Sequence, residues 1–257
     1  MLTAVTPERY KQAIVTLARR DSSISVFPGD NYLDIADWMV HERHPSRSPD
    51  TDSNAPLTAA STLVPQHDLV VVYHSSKKKW GFQQYSQDEH ESLTANGSAS
   101  EEGLGQIVFL RGFLSPSWVS AIGSTYRIDP EFFRRHMDFL SKTVHRKPFS
   151  SPSLPSTSSN MFRLCVSTIL HRDHPRDQDI QHQRRDSSLR FGSYKSQQLG
   201  SAKLSCGDSL VRDYSTLCSS FSVLEQWISI CITKQDKGWA STWFALRIHS
   251  RIAANPL

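Results

Sequence analysis

The sequence predicts a mixed α/β domain, in which a mixed sheet is flanked by helices and interrupted by long disordered loops rich in serine and proline. Three observations predict it. Short apolar runs with the composition of strands, such as Gln106–Leu110, lie far apart along the chain. Two helices with recognisable N-terminal caps, at Ser115-Pro116 and Asp129-Pro130, follow that run directly. The segments between these elements are polar and have neither a helical nor a strand period.

Length and charge set the broad class. The chain has 257 residues and a formal net charge of +4, which is too small and too dispersed to indicate nucleic-acid binding by itself. No apolar run approaches the roughly 18–20 residues that a membrane-spanning helix needs. We therefore expect a cytoplasmic chain without a membrane span.

The four cysteines are widely spaced, lack a CxxC pair and follow no secretory signal. This pattern predicts free thiols in a reducing compartment. Cys165 and Cys231 lie in apolar runs, where a cysteine usually behaves as a small buried side chain. The other two cysteines are Cys206 and Cys218.

The N-terminal elements are helical. Pro7–Arg20 has Thr6 as its cap and one apolar stripe, which predicts a helix. Ile24–Phe27 predicts a short strand, and Tyr32–Val40 predicts a second helix with a fair match to the helical period.

The next elements predict paired strands. Asp68–His74 is apolar on both of its faces, which is typical of a strand at the centre of a sheet. Trp80–Tyr85 is predicted to pair with it across the basic turn Lys77–Lys79. Residues 86–104 are acidic and rich in serine, and we expect a loop there.

The central unit predicts a strand, a two-turn helix, an extended turn and a second helix. Gly123 is placed to end the first helix, and Asp129-Pro130-Glu131 is placed to start the second. One of two stripes of the second helix is expected to face inward, formed either by Phe133, Met137 and Leu140 or by Phe132, His136 and Phe139.

The second half of the chain begins with a low-complexity loop over residues 147–160. Phe162–Leu170 then alternates as a strand does. Residues 171–200 are charged and lack a period, which predicts another loop. Gln226–Thr233 and Trp239–Leu246 predict an antiparallel hairpin.

These elements divide the chain into four parts. We expect an N-terminal helical segment (1–40), a flexible insertion (41–61), the α/β domain with its three loops (62–246) and a tail (247–257).

A patch rich in histidine and aspartate is the first candidate site. Imidazole and carboxylate ligands within one loop bind divalent cations. Its spacing matches no metal motif, however, and neighbouring arginines would repel a cation, so a solvated loop of mixed charge is the favoured interpretation. The patch consists of His171, Asp173, His174, Asp177, Asp179 and His182.

The basic group Arg134-Arg135-His136 is the second candidate, since it is suited to an acidic partner or a phosphate. The favoured alternative is that the arginines face water or pair with Glu131 and Asp138 at helical spacing.

The third candidate is Lys77–Lys79 beside Trp80, with Tyr73 and Tyr85 nearby. Basic and aromatic residues together are typical of single-strand nucleic-acid platforms. A solvated turn between two strands explains them equally well, and no RNP-like, GxxG or helix-turn-helix signature is present. We expect no nucleic-acid partner.

Enzyme signatures are missing from the sequence. It contains no GxGxxG, Walker, GxSxG or HExxH motif. We therefore predict no catalytic residues and no bound cofactor, and metal ligands stay unassigned.

Two sets of residues carry a resemblance to a known family. The first is Arg111-Gly112-Phe113, Ser115-Pro116-x-Trp118, Ile122-Gly123, Tyr126–His136 and Asp138-Phe139. The second is Val211–Ser215, Glu225–Ile230, Gly238-Trp239 and Trp243. In this order, over roughly Leu69 to Trp243, they resemble the N-terminal cytosolic region of fungal CorA-like magnesium transporter relatives.

The resemblance implies a cytosolic α/β domain that forms homo-oligomers and senses Mg²⁺ through carboxylates between subunits. A full-length relative would be attached to a membrane. Asp129, Glu131 and Asp138 lie in the matched block, but none is assigned as a ligand, because Asp129 is expected to cap a helix and Asp138 to form a surface pair.

The family pattern would continue after Trp243 with a stalk helix, two membrane helices and a Gly-Met-Asn loop. This chain instead reads FALRIHSRIAANPL, so no pore residue is carried over, and we expect a truncated or misread reading frame.

The functional expectation is a soluble, non-catalytic domain resembling the cytosolic regulatory part of a CorA-like Mg²⁺ transporter, without the pore. The rival is a scaffold protein with no cation link, which docks or is phosphorylated through its Ser/Pro-rich loops.

Overall fold

The structure is a computed structural model that describes residues 5–20, 32–40, 69–75, 80–96, 104–137, 159–171, 179–199, 206–208, 210–235 and 238–245. Several predicted features lie outside these residues. They are the strand Ile24–Phe27, the insertion 41–61, the turn Lys77–Lys79, nearly all of the loop 147–160 and the tail 247–257.

Six helices are described: α1 (Pro7–Ala18), α2 (Leu33–Val40), α3 (His90–Asn96), α4 (Pro116–Tyr126), α5 (Pro130–His136) and α6 (Ile180–Leu199). Seven strands are described: β1 (Val70–Ser75), β2 (Trp80–Tyr85), β3 (Leu104–Arg111), β4 (Met161–His171), β5 (Asp213–Thr216), β6 (Phe221–Gln235) and β7 (Gly238–Ala245). None of the described helices is long and apolar enough to span a membrane.

The strands form one seven-stranded mixed sheet in the order β2-β1-β3-β7-β6-β4, with β5 paired to the first part of β6. Only the β3–β7 pair is parallel, and the other pairs are antiparallel. The predicted strand Gln106–Leu110 and the predicted hairpin therefore lie in the same sheet. This confirms the mixed α/β fold class and the hairpin.

Three predicted caps are confirmed. The side chain of Thr6 accepts from the Arg9 amide at 3.3 Å, and that of Ser115 accepts from the Trp118 amide at 3.3 Å. Asp129 accepts from the Glu131 amide at 2.8 Å. A proline follows each cap, so its preset φ favours the first helical turn.

The predicted end of α4 at Gly123 is wrong. The helix continues to Tyr126 and ends at Arg127, which adopts the left-handed conformation with φ of 52°. Gly123 is needed for close packing instead, because a Cβ atom there would lie 2.2 Å from the ring of Tyr10 on α1. The Tyr10 hydroxyl then donates to the Ile128 carbonyl at 2.8 Å.

Two predicted loops contain helices. Within 86–104, α3 is held by Leu93, which is fully buried, and the adjoining Gln87 carbonyl accepts from Trp118 Nε1 at 2.7 Å. Within 171–200, α6 buries little more than Gln183 and Phe191. With so few buried side chains, neither helix has an apolar stripe. The helical period of apolar residues is therefore absent from the sequence, and the sequence predicts both segments as loops.

The sheet has one face that helices cover. Side chains of directly paired residues point to the same side of a sheet, and the core side chains Val72, Val108 and Phe244 share one side. Helices α1 to α5 pack there, and their buried residues join these strand residues in a single hydrophobic cluster. We call this side the covered face.

The opposite side, the open face, carries apolar side chains with little cover. Its register runs through the pairs Tyr73–Phe82, Phe109–Trp243 and Phe162–Ile230. Of the described helices, only α6 lies on this side, over β5 and the first part of β6, where Leu224 is 1% exposed. The exposed members are Tyr73, Phe82, Phe162, Leu164, Ile232 and Trp239.

The prediction for the first strand is only partly correct. β1 lies between β2 and β3, so it is an interior strand. Val70 and Val72 are buried, but Tyr73 is 37% exposed, because no described helix covers the second face at β1.

Candidate functional site

The first turn of α5 holds a buried carboxylate, Glu131, which is 6% exposed. Arg134 donates to both of its oxygens, from Nε at 2.6 Å and from Nη2 at 2.5 Å. Arg135 Nε donates at 2.7 Å, and the Tyr32 hydroxyl donates at 2.8 Å. Charged donors at these distances stabilise the ionised carboxylate.

The pKa values agree with this geometry. Burial disfavours the charge on Glu131, but the hydrogen bonds from Arg134, Arg135 and Tyr32 outweigh it and lower the Glu131 pKa. Burial, together with the adjacent Glu131 carboxylate, raises the pKa of Tyr32, which therefore stays protonated as a donor. Burial also raises the pKa of the capping Asp129.

The last residue of α5, His136, joins the helix to the sheet. Its ring stacks on Phe244 of β7, with centroids 3.5 Å apart and planes 8° from parallel. Its Nδ1 lies 2.9 Å from Ser229 Oγ of β6. Complete burial, reinforced by the positive charges of Arg212 and Arg163, lowers the His136 pKa well below its ordinary value. The imidazole is therefore neutral at physiological pH.

Two arginines, Arg163 of β4 and Arg212 just before β5, cap the C-terminal end of α5. Arg163 of β4 donates to the Arg135 carbonyl at 3.2 Å, and Arg212 donates to the His136 carbonyl. Both guanidinium groups also lie over Trp227, at 3.3 Å and 5.0 Å from its ring centroid. Cations near the end of a helix stabilise its unpaired carbonyls and its dipole.

We call this set the arginine–glutamate cluster: Glu131, Arg134, Arg135, His136, Arg163, Arg212 and Trp227. Through hydrogen bonds and ring contacts, these residues fix the position of α5 against strands β4, β6 and β7. The favoured interpretation of Arg134 and Arg135 is confirmed, because both pair with Glu131.

Both predicted stripes of α5 contribute to the core. Phe132, Phe133, His136 and Met137 are all buried, while Phe139 and Leu140 lie outside the described residues. The helix is short, and the core and β6 surround it on more than one side, so the two stripes are not true alternatives.

The histidine-rich patch does not come together in the part of the chain that the structure describes. His171 ends β4 beside Phe221, with ring centroids 5.0 Å apart. His182 lies on α6 and contacts Asp186 at 3.2 Å. Of the remaining members, Asp179 precedes α6, and Asp173, His174 and Asp177 are not described. Among described residues, no three metal-binding side chains are grouped.

The predicted aromatic platform is divided between the two faces. Tyr73 lies on the open face and contacts Phe82 and Phe109, with ring centroids 5.8 and 5.7 Å apart. Tyr85 is buried on the covered face, where its ring contacts Trp118 at 6.4 Å. The two tyrosines therefore do not form one stacking surface.

All four cysteines are free thiols. Cys231 is buried as predicted, and burial raises its pKa to about 12. The burial predicted for Cys165 is wrong, because β4 lies at one edge of the sheet and no described helix covers its middle. Burial also raises the pKa of Cys206 to about 11, so neither of these two thiols ionises at physiological pH.

The open face is the feature that sequence reasoning missed. A row of touching rings crosses it, since Phe109 contacts both Tyr73 and Trp243, at 5.7 and 5.9 Å. Trp239 lies flat over Gly105, where a Cβ atom would come within 2.2 Å of the indole. The sequence shows which side chains of a strand share one side of the sheet. It does not show which of the two sides helices cover.

Comparison with protein-family models, with curated proteins and with solved structures gives no match for this chain.

Proposed function

We propose that this chain is a non-catalytic regulatory domain of the kind found in the cytosolic part of CorA-like divalent-cation transporters. The proposal rests on the sequence resemblance. One observation supports it: the two matched blocks, more than seventy residues apart, meet where His136 Nδ1 lies 2.9 Å from Ser229 Oγ. Two sequence segments that belong to one functional unit are expected to pack against each other in the folded chain.

The arginine–glutamate cluster suits a regulatory domain. It connects a short helix to the sheet region through charged hydrogen bonds from Arg163 and Arg212 to the carbonyls of Arg135 and His136. A displacement of α5 would therefore be transmitted to β4 and β6. Discrete packed arrangements of this kind carry coupling between distant surfaces.

The cation link is tested by the melting temperature of the full chain in increasing Mg²⁺. A cation that binds only the folded state stabilises it by about 2.7 kcal/mol at 100 times its Kd. For a chain of this size we expect a rise of several degrees at millimolar Mg²⁺. Sodium chloride at equal ionic strength is the control. A flat response to Mg²⁺ contradicts the cation link.

One observation favours the rival function, a scaffold without a cation link. Two acids of the matched block are already committed, Asp129 to the cap of α5 and Glu131 to two arginines. A scaffold would dock through the Ser/Pro-rich segments, for example residues 41–61 and 147–160. A flat Mg²⁺ response, with a binding partner lost on deletion of these segments, would establish the rival.

A further inference from the structure

The helix α6 is attached to the sheet through a small hydrophobic cluster. Its buried ring, Phe191, packs there with Val211, Tyr214 and Leu224, and this cluster is separate from the main core. Most other side chains of α6 that the structure describes are exposed to solvent. Segments with few buried apolar contacts open at a lower free energy than the core of a domain. We therefore expect α6 to separate from the sheet before the rest of the domain unfolds.

Ser187 lies at the centre of the contact between α6 and β5. It is four residues after Gln183 and four before Phe191, both of which are buried, so the three side chains lie on one side of the helix. The Ser187 hydroxyl donates to the Gln183 carbonyl at 2.7 Å and lies 2.8 Å from Oγ1 of Thr216, a buried residue of β5. This distance between two oxygens leaves no space for a larger group between the side chains.

Arg184, one turn before Ser187, is the charged part of the same contact. Its Nε donates to the Thr216 carbonyl at 3.1 Å, and its Nη2 donates to the Leu217 carbonyl at 3.0 Å. These acceptors lie at the end of β5 and directly after it. A doubly charged group at position 187 would compete with the two neutral carbonyls for the guanidinium, because opposite charges at this helical spacing attract each other.

The sequence before Ser187 has the charge pattern of a phosphorylation site. Arg184 and Arg185 lie three and two residues before it. Protein kinases select their substrates by charge patterns, and an acidic peptide-binding groove binds arginines at such positions. Ser187 is half-buried against β5 while α6 is closed, so a kinase reaches it when the helix opens by local unfolding.

We propose that phosphorylation of Ser187 by a protein kinase releases α6 from β5. The bond from the γ-phosphorus of ATP to the ADP oxygen breaks, the bond to Ser187 Oγ forms, and a base of the kinase takes the hydroxyl proton. Ser187 thereby loses its donation to Gln183 and gains a charge of about −1.5 to −2. Such a charge disrupts a packed contact by its desolvation cost and by repulsion from the adjacent Asp186. Tyr214 and Leu224, which α6 buries, then become accessible.

Amide hydrogen exchange of the full chain tests the release. Phosphoserine is incorporated at position 187 during synthesis of the chain, and the matched control carries it at position 193. Ser193 is on the same helix but is exposed, and its hydroxyl donates to the Leu189 carbonyl within α6. With phosphoserine at position 187, we expect exchange in α6 to be roughly tenfold faster or more, because a charged hydrogen-bond contact is lost. The control should exchange as the unmodified chain does, and β6 and β7 should not change.

A second measurement tests whether Ser187 is a kinase substrate. The unmodified full chain is incubated with ATP and an arginine-directed protein kinase, and peptide mass spectrometry locates the phosphate. We expect it on Ser187. The variant Arg185→Ala, which changes an exposed side chain, should be phosphorylated there several-fold more slowly.

Four results would overturn the proposal. They are unchanged exchange in α6 with phosphoserine at position 187, an equal acceleration with phosphoserine at position 193, a chain that the kinase does not phosphorylate at Ser187, and faster exchange throughout the sheet. The last result would mean that the whole domain unfolds instead of releasing one helix. The release of α6 does not depend on the family resemblance, so a flat Mg²⁺ response leaves it intact.

Discussion

Phe244 and Phe82 lie on the same sheet, but on opposite faces and in opposite environments. Phe244 on the covered face is 1% exposed and touches Phe132, Phe133 and His136. Phe82 on the open face is 58% exposed and contacts Tyr73. The residue type and the strand geometry are alike, so the difference lies in what the rest of the chain places over each face.

The covered face has a polar anchor that fixes the position of its helix. The Tyr32 hydroxyl donates to Glu131 at the start of α5, and Arg163 and Arg212 donate to backbone carbonyls at its end. Hydrophobic burial alone is not directional, whereas these hydrogen bonds specify one docking geometry. The open face, as far as the described residues extend, presents apolar groups without such an anchor.

The largest expected effect comes from truncating the two phenylalanines. Phe244→Ala removes a fully buried ring and should lower the free energy of unfolding by about 3–5 kcal/mol. Phe82→Ala should cost about 1 kcal/mol or less, because that ring is 58% exposed. Urea denaturation measures both. Equal losses would mean that the two faces are equally buried in solution.

A smaller effect tests how closely the helices pack on the covered face. Gly123→Ala places a methyl group into the ring of Tyr10 and should cost about 1–3 kcal/mol. The control is Gly192→Ala on α6, where a Cβ atom meets nothing within 4 Å. It should be neutral or stabilise by up to about 1 kcal/mol through helix propensity. Thermal melts compare the pair. A stabilising Gly123→Ala would show that α1 and α4 are not in close contact.

The smallest effect concerns pH. The pKa of His136 is lower in the folded chain than its unfolded value of about 6.5. Below that value the unfolded state binds the extra proton, so stability falls as the pH drops, by at most about 1.4 kcal/mol per pH unit. The variant His136→Phe, which keeps an aromatic ring against Phe244, should lose this part of the pH dependence.

Urea denaturation between pH 7.5 and 5 measures this slope. Ile169→Val is the control, because it changes an exposed side chain without a titratable group and should leave the slope unchanged. A slope that is identical in wild type and His136→Phe would contradict the buried neutral imidazole.

The parts of the site that could be predicted are those set by near neighbours in sequence. The pairing of Arg134 and Arg135 with Glu131 follows from helical spacing, and the cap at Asp129 follows from its residue type and the proline after it. Arg163 and Arg212 could not be predicted. They contact α5 only because β4 and the segment just before β5 lie beside it in the folded chain.

The sequence by itself determined where most helices begin, which segments alternate as strands, and that the terminal hairpin pairs antiparallel. These features depend on interactions within a few residues. Only the tertiary structure decided which side of each strand is covered, that Gly123 serves a close approach rather than a helix end, and that the segment 180–199 is helical. The physical reason is that burial is a property of what packs on a surface, and alternation along a strand is the same for a face that is covered and for one that is left open.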